Sequence, residues 1–251
     1  MTLLVVGSTA FDTIETPHGN AERCLGGSST YFGLAARLFS PVRLVSVVGE
    51  DFPAEHKQLL SDRDIDLDGL EVKEGKTFAW HGRYSADMNQ RDTIDVQLNT
   101  FGDFEPKVPS NYRDSKFVFL ANGSPAAQSS VVEQMNDPQF VVADTMGLWI
   151  DSERDGLLAL LKRIDGVIVN DSEVKSLTGE SNLIAAGKAA LEEATREVKL
   201  RQKATVQYPS LSEARAVALR RTEYTFVQLR RLEHRSQLNC LFRSKDLNCN
   251  A

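Results

Sequence analysis

Short apolar runs alternate with segments of helical periodicity along the first three-quarters of the chain. The runs Leu3–Gly7 and Val42–Val48 are rich in apolar residues, which predicts strands buried on both faces. Runs of the same kind recur at Lys116–Leu120, Phe140–Asp144 and Val167–Asn170. Segments with helical spacing separate these runs, at Ser29–Phe39, Glu55–Leu60, Ala126–Met135 and Glu153–Arg163. This alternation predicts an α/β fold, with a mainly parallel sheet covered by helices on both faces.

The hydrophobic period changes near the middle of the chain. Phe78–Tyr84 and Thr93–Leu98 alternate apolar and polar residues, as strands with one solvated face do. The polar segment Ser85–Asp92 between them predicts a turn, and the Asp-rich segment Asp62–Asp68 predicts another. We expect a small β lid that includes about residues 76–100 and is added to one edge of the main sheet.

Composition narrows the class of protein. The chain has 251 residues, of which 41% are hydrophobic and 25% charged, as in soluble globular domains. We expect a cytoplasmic protein, because no apolar run is long enough to span a membrane and the start of the chain has no signal-peptide pattern. The sequence contains no classical P-loop, dinucleotide fingerprint or GxSxG motif, and its four histidines lack metal-ligand spacing.

Charge and glycine divide the chain near residue 187. All 16 glycines lie between Gly7 and Gly187. Residues 188–251 carry 13 basic and 7 acidic side chains, a net charge of +6, whereas residues 1–187 carry 16 basic and 28 acidic ones, a net charge of −12. The acidic part argues against a nucleic-acid surface, and the scattered arginines of the basic part are typical of a solvated helix face. We therefore expect no specific nucleic-acid partner.

Two features near the start of the chain are candidates for substrate binding. The pair Gly26-Gly27 precedes a predicted helix, where it either lets the backbone approach a ligand or forms a plain turn. Asp12 lies just beyond the first predicted strand, and ligands of open α/β sheets bind beyond the carboxyl ends of strands. Its carboxylate suits sugar hydroxyls, but a surface or capping role is equally open.

Two further candidates follow later strands. Asn170 and Glu173 are three residues apart, so they share a face on a helical turn. Their oxygens suit Mg²⁺ and its waters, and the alternative is an N-terminal helix cap. Asp144 ends another predicted strand and is a candidate on the same topological argument.

Together these features resemble the ribokinase-like (PfkB) family of carbohydrate and nucleoside kinases. The matching segments, in the family's order over about residues 3–187, are LLVVGSTAFDTIE, LGGSSTYFGLAAR, VRLVSVVGEDF, TFAWHGRY, RDTIDVQLN, VVADTMGLW and VIVNDSEV. The resemblance implies a three-layer α/β/α fold with a β lid, and transfer of the ATP γ-phosphate to a hydroxyl of a small sugar-like substrate with Mg²⁺. It implies that Asp12, Gly26 and Gly27 hold the sugar and that Asn170 and Glu173 organise Mg²⁺ and phosphate.

The sequence departs from the family at two places. Tyr31 stands where many members have an Asn that contacts substrate. The family's DxxGAGD-type motif, whose Asp is the general base and whose glycines form the anion hole, has no counterpart after residue 187, so we assign no catalytic residue. We expect a sugar kinase that is catalytically impaired, and the alternative is a non-catalytic sugar-binding or protein-interaction remnant.

The C-terminal segment has two competing explanations. Residues 188–251 are either a basic extension, helical or disordered, or the product of a change of reading frame near residues 188–196. On either explanation we expect residues 1–187 to form an incomplete ribokinase-like domain. An incomplete sheet exposes apolar surface, so we expect a homodimer formed through the β lid or an exposed apolar edge.

Overall fold

A computed structural model of the chain describes residues 2–86, 88, 91–193, 197–202, 215–221 and 224–230. The strands are β1 (Leu3–Val6), β2 (Ala10–Thr16), β3 (Gly19–Gly26), β4 (Val42–Gly49), β5 (Ile65–Lys73), β6 (Phe78–Tyr84), β7 (Arg91–Gln97), β8 (Phe117–Leu120), β9 (Phe140–Asp144), β10 (Gly166–Asn170), β11 (Glu197–Gln202), β12 (Arg215–Arg221) and β13 (Tyr224–Arg230). The α-helices are α1 (Ser28–Ala36), α2 (Ala54–Ser61), α3 (Pro125–Gln134), α4 (Gly147–Ser152), α5 (Arg154–Leu161), α6 (Asp171–Thr178) and α7 (Leu183–Glu193). None of these helices could cross a membrane.

The larger sheet has the order β12-β13-β11-β10-β9-β8-β1-β4-β5. Its strands from β11 to β5 run parallel, and β13 and β12 add to the β11 edge in antiparallel orientation. From β1 the chain builds outward through β4 and β5, then returns to the other side of β1 with β8. The sheet therefore reverses its direction of growth between β1 and β8, which makes that boundary its topological switch point.

Successive residues of the buried strands contribute to different layers of the core. Leu4 and Val6 pack in a cluster with Leu157 of α5 and Leu177 of α6, whereas Val5 packs in a second cluster with Phe32 of α1. This is the period of two that a strand covered on both faces requires. The predicted α/β/α layering is therefore confirmed.

The smaller sheet is the β lid, with the order β3-β2-β6-β7. The predicted pair of strands at residues 76–100 is confirmed as β6 and β7, but β2 and β3 complete the sheet. Strand β3 has no recognisable sequence pattern, because its first six residues are exposed and lack an alternating apolar face. The lid is thus built from two separate segments, one leading directly out of β1.

Two other segments differ from the sequence expectation. Residues 65–68 of the predicted turn belong to strand β5, where Ile65 is buried and Asp66 and Asp68 occupy exposed positions of an edge strand. Helix α7 ends at Glu193, and β11 pairs with β10 in parallel where a continuing helix was expected. Farther on, residues 215–221 and 224–230 are antiparallel strands, consistent with the β-branched and aromatic residues of YTFVQLR.

A hydroxyl group connects the lid to the main domain. Thr77, immediately before β6, is buried, and its Oγ1 accepts the N–H of Gly49 at 2.9 Å while donating to Asp51 Oδ1 at 2.7 Å. The Thr77 N–H also donates to Asp51 Oδ1, at 2.7 Å. Thr100, at the other end of this lid segment, differs because its buried Oγ1 has no hydrogen-bond partner among the described residues.

Replacing Thr77 by Val should therefore lower the free energy of unfolding by about 1–3 kcal/mol, because it leaves the buried Gly49 N–H without an acceptor. The matched control is Thr100→Val, which loses no hydrogen bond and should change stability by less than about 0.5 kcal/mol or increase it. Equilibrium urea unfolding measures both variants. Equal losses would contradict the assigned role of Thr77.

Candidate functional site

The candidate site lies at the switch point, where β1 and β8 end side by side. The backbones of the two strands are in close contact there, since a Cβ added to Gly7 would lie 2.6 Å from the Cβ of Ala121. The Ala121 N–H donates to the Val6 carbonyl at 2.7 Å, and the Ser8 N–H donates to the Asn122 carbonyl at 3.2 Å. The ends of β1 and β8 therefore form a fixed surface for a ligand at this edge of the sheet, and we call this surface the floor.

Hydroxyl groups fasten helix α1 to this floor. The Ser28 N–H donates to Ser8 Oγ at 3.2 Å, and the Asn122 N–H donates to Ser28 Oγ at 2.7 Å. Ser29 contributes two bonds to the Ser8 carbonyl, from its N–H at 3.1 Å and from its Oγ at 2.7 Å. We call Ser8, Ser28, Ser29 and Asn122 the serine network. Sequence reasoning missed this network, although hydroxyl residues follow glycine in both GST and GGSST.

The diglycine is required by close contacts on both of its residues. Gly27 has φ of 95°, a conformation that favours glycine, and a Cβ there would collide with the carbonyl of Ser8. A Cβ on Gly26 would collide with the carboxylate of Asp12. The backbone at residues 26–27 thus approaches both the floor and Asp12 more closely than any side chain permits, which favours a specific role over a plain turn.

Asp12 lies on β2, the lid strand that follows β1, and its carboxylate faces the start of α1. The Gly27 N–H donates a hydrogen bond to it, and the Tyr31 hydroxyl donates to its Oδ2 over a long 3.3 Å. Burial raises the pKa of Asp12 above its ordinary value, while the bonds from Tyr31 and Gly27 and the charge of Arg91 oppose that rise. The structure therefore brings Asp12, Gly26 and Gly27 together.

The lid face that carries Asp12 also carries aromatic groups. In the parallel register Asp12 pairs with Trp80, and in the antiparallel register Tyr84 pairs with Arg91, whose guanidinium lies 5.2 Å from the Trp80 ring centroid. Arg83 lies on the opposite face, where its Nε is 2.7 Å from Glu15 Oε2, and Gln97 Nε2 donates to Asp95 Oδ2 at 2.7 Å.

Asn170 and Glu173 form a reciprocal capping box at the start of α6. The Glu173 N–H donates to Asn170 Oδ1 and the Asn170 N–H donates to Glu173 Oε2, both at 2.8 Å. The cap therefore explains both residues, including the glutamate, and it fixes a buried carboxylate at the carboxyl end of β10. Asp144 ends the neighbouring strand β9, which β8 separates from the switch point, and β8 and β9 together separate the end of β10 from it.

The donor groups of this pair are compatible with Mg²⁺ bound largely through water and phosphate. A carboxylate has about four lone-pair sites, and its oxygens accept hydrogen bonds from backbone N–H groups and from metal-bound water alike. Over the part of the chain that the structure describes, no group of three His, Cys, Asp or Glu residues could hold a metal ion directly. Glu173 and Asn170 thus fit Mg²⁺ that retains its waters and its nucleotide ligands, with no protein cage.

Comparison with known families identifies the lineage. The sequence model of the pfkB family of carbohydrate kinases matches residues 2–207. The chain belongs to the pfkB carbohydrate kinase family. No curated protein sequence matches the chain significantly.

Solved structures show that the chain has the ribokinase-like fold. A putative ribokinase II from E. coli, in complex with ATP and Mg²⁺, is similar with a TM-score of 0.64 at 20% identity, covering 79% of this chain and 71% of that one. The nucleoside kinase of Methanocaldococcus jannaschii has a TM-score of 0.60 at 17% identity, with 79% and 69% covered. Aminoimidazole riboside kinase from Salmonella enterica has a TM-score of 0.59 at 15% identity, with 80% and 70% covered.

The contacts of this pfkB-family cleft predict an effect of Gly27→Ala. The added Cβ meets the Ser8 carbonyl and φ is positive, so we expect unfolding free energy to fall by about 1–3 kcal/mol. Gly147→Ala is the control, since nothing lies near its added Cβ, and it should stay within about 0.5 kcal/mol of the parent. Urea unfolding compares the two, and an unaffected Gly27→Ala variant would contradict the described approach of the backbones.

The raised pKa of Asp12 predicts that Asp12→Asn increases the free energy of unfolding by an amount that depends on pH. The folded state holds the Asp12 proton more tightly than the unfolded state does, so stability falls as pH rises through the range just above the ordinary pKa of 3.8. The Asn variant lacks this titration. Its unfolding free energy relative to the parent should therefore increase from about pH 3 toward neutrality and then level off. Thermal unfolding at several pH values measures the difference, and a decrease over that range would refute the assignment.

Proposed function

We propose that the cleft between the β lid and the switch point binds a small sugar-like molecule through Asp12. The observation that carries this proposal is the contact set of that carboxylate, which is partly buried and held by the Gly27 N–H and the Tyr31 hydroxyl. A carboxylate accepts hydrogen bonds from hydroxyl groups, and such charge-assisted bonds strengthen where water is excluded. A polyhydroxylated ligand matches this chemistry better than an apolar one does.

The reaction that fits the family is phosphoryl transfer from ATP to a hydroxyl of that ligand. ATP and Mg²⁺ are supported by the E. coli structural neighbour, which is a complex with both. The capping box at α6 supplies a fixed carboxylate, Glu173, toward which the waters of Mg²⁺ would donate. When bound, the metal would neutralise charge on the phosphates, while Asn170 and the N-terminus of α6 hold the glutamate in place.

We further propose that the 251-residue chain transfers phosphate very weakly or not at all. No glycine follows Gly187, so residues 188–251 cannot build a glycine-rich anion hole. The sole aspartate after residue 187 is Asp246, which lacks the glycine context of the family's general base. Phosphoryl transfer depends on positioning and on charge stabilisation, so the loss of both groups affects the chemical step directly.

A non-catalytic sugar-binding role is the alternative. The serine network supports this alternative. The floor, the diglycine and Asp12 are connected by hydrogen bonds that do not involve any residue after 187. On this alternative the cleft binds sugar and residues 188–251 serve a separate function.

We also propose a cytoplasmic location and a homodimer formed through the exposed edge strands β3 and β7 of the lid. The proposed boundary at residue 187 lies before the end of the family match at residue 207.

Titration calorimetry with D-ribose tests the binding site. Asp12→Asn should weaken binding at least about tenfold, because a hydrogen bond to a charged group contributes about 1.5–3 kcal/mol. Asp95→Asn is the matched control, since Asp95 pairs with His81 on the opposite face of the lid and should bind ribose as the parent does. Equal affinity of Asp12→Asn and the parent would contradict the proposed cleft.

A coupled assay for ADP production tests the catalytic part separately. With saturating ATP, Mg²⁺ and a panel of sugars, the chain should release ADP no faster than a sugar-free control. Sugar-dependent ADP release that Glu173→Gln abolishes would overturn the proposed impairment. Ribose binding without ATP binding would support the non-catalytic alternative over the impaired kinase.

A further inference from the structure

Tyr31 is the largest exposed group beside the proposed sugar carboxylate. It lies in the first turn of α1, four residues after Gly27, and 53% of its surface is exposed. Its hydroxyl donates to Asp12 Oδ2 at 3.3 Å, so the ring is tethered at the cleft while much of it remains open to solvent. An exposed aromatic residue alone is ordinary on a protein surface. A tethered ring beside a partly buried carboxylate calls for a specific explanation.

The surroundings of this ring are aromatic and cationic. Tyr84 lies close enough to Tyr31 to influence its pKa, as does Cys24 of β3. On the same lid face Arg91 lies over the ring of Trp80, 5.2 Å from its centroid. Planar side chains and guanidinium groups bind planar ligands by stacking, and this requires no particular pattern of hydrogen-bond donors.

We propose that Tyr31 is a specificity-determining residue that favours ribosides carrying a planar heterocyclic base over sugars without one. This inference rests on the proposed sugar cleft at Asp12. The exposed ring offers a stacking surface next to the carboxylate. The Tyr31 hydroxyl also occupies one acceptor position of Asp12, which leaves the carboxylate with fewer positions for the many hydroxyls of a free sugar.

The electrostatics of the pair agree with this role. Burial and the neighbouring Asp12 charge raise the pKa of Tyr31 to about 12, so the hydroxyl stays protonated and donates to Asp12 throughout the neutral range. A phenol in this state holds its ring in one place without adding charge to the cleft. The two effects are therefore separable: the ring acts on the base of the ligand, and the hydroxyl acts on its sugar.

Calorimetry with two ribosides separates these effects. Inosine and methyl β-D-ribofuranoside share the substituted ribose ring and differ in the planar base. The parent chain should bind inosine about tenfold more tightly, as expected for stacking of one base on an aromatic side chain. Tyr31→Leu should reduce that preference to about threefold or less, while Tyr31→Phe should keep it because the ring remains. Phe39→Leu, which alters a distant and more exposed aromatic residue, should leave the preference unchanged.

The outcomes distinguish this inference from the function on which it rests. Binding of neither riboside by the parent would overturn both the cleft and the role of Tyr31. Equal affinity for the two ribosides, or a preference that survives in Tyr31→Leu, would overturn the role of Tyr31 and leave the sugar cleft standing. Thermal unfolding of each variant confirms that it is folded, and Tyr31→Phe serves as the conservative reference if Tyr31→Leu is destabilised.

Discussion

The cleft depends on the contact between the backbone of Gly27 and the carbonyl of Ser8, which is too close for any side chain at residue 27. This contact lets the first turn of α1 lie against the end of β1, where Ser8 accepts hydrogen bonds from Ser28 and Ser29. Because β1 sits between β4 and β8, fixing α1 to β1 also fixes it to the centre of the larger sheet. The lid begins beside the same contact, because β2 comes directly after β1 in the chain and places Asp12 next to Gly27.

The backbone contributes differently to the two candidate sites, Asp12 and Glu173. At Asp12, the backbone approaches so closely that a carboxylate is partly buried and its proton is held more tightly than in water. At Glu173, the backbone supplies a cap, and the carboxylate is fixed as part of the helix start. The first arrangement suits recognition of a hydroxylated ligand, and the second suits a rigid anionic anchor for a hydrated metal ion. Glu173 follows the carboxyl end of β10 in the larger sheet, where ligand sites of α/β proteins lie, whereas Asp12 lies on lid strand β2, which follows the carboxyl end of β1.

The sequence predicted the features that arise from local periodicity. Runs rich in apolar residues such as Val42–Val48 and alternating ones such as Phe78–Tyr84 predicted strands correctly, because burial on two faces or on one leaves distinct patterns. Strand β3 was not predicted, because its exposed residues carry no such pattern. The aspartates at the start of β5 led to the prediction of a turn there. The serine network and the pairing of Arg83 with Glu15 depend on contacts between distant segments, which spacing along the chain does not encode. The family resemblance was confirmed, while the roles of individual site residues stay predictions.

The floor, the diglycine and Asp12 of this pfkB-family chain form one connected unit before residue 187, which we propose to be a sugar cleft. The most direct test of this proposal is a crystal structure of the chain grown with saturating D-ribose. We expect sugar density between the lid and the switch point, with a ribose hydroxyl within hydrogen-bond distance of Asp12. Ribose bound elsewhere on the chain, with Asp12 still paired only to Tyr31 and Gly27, would contradict it.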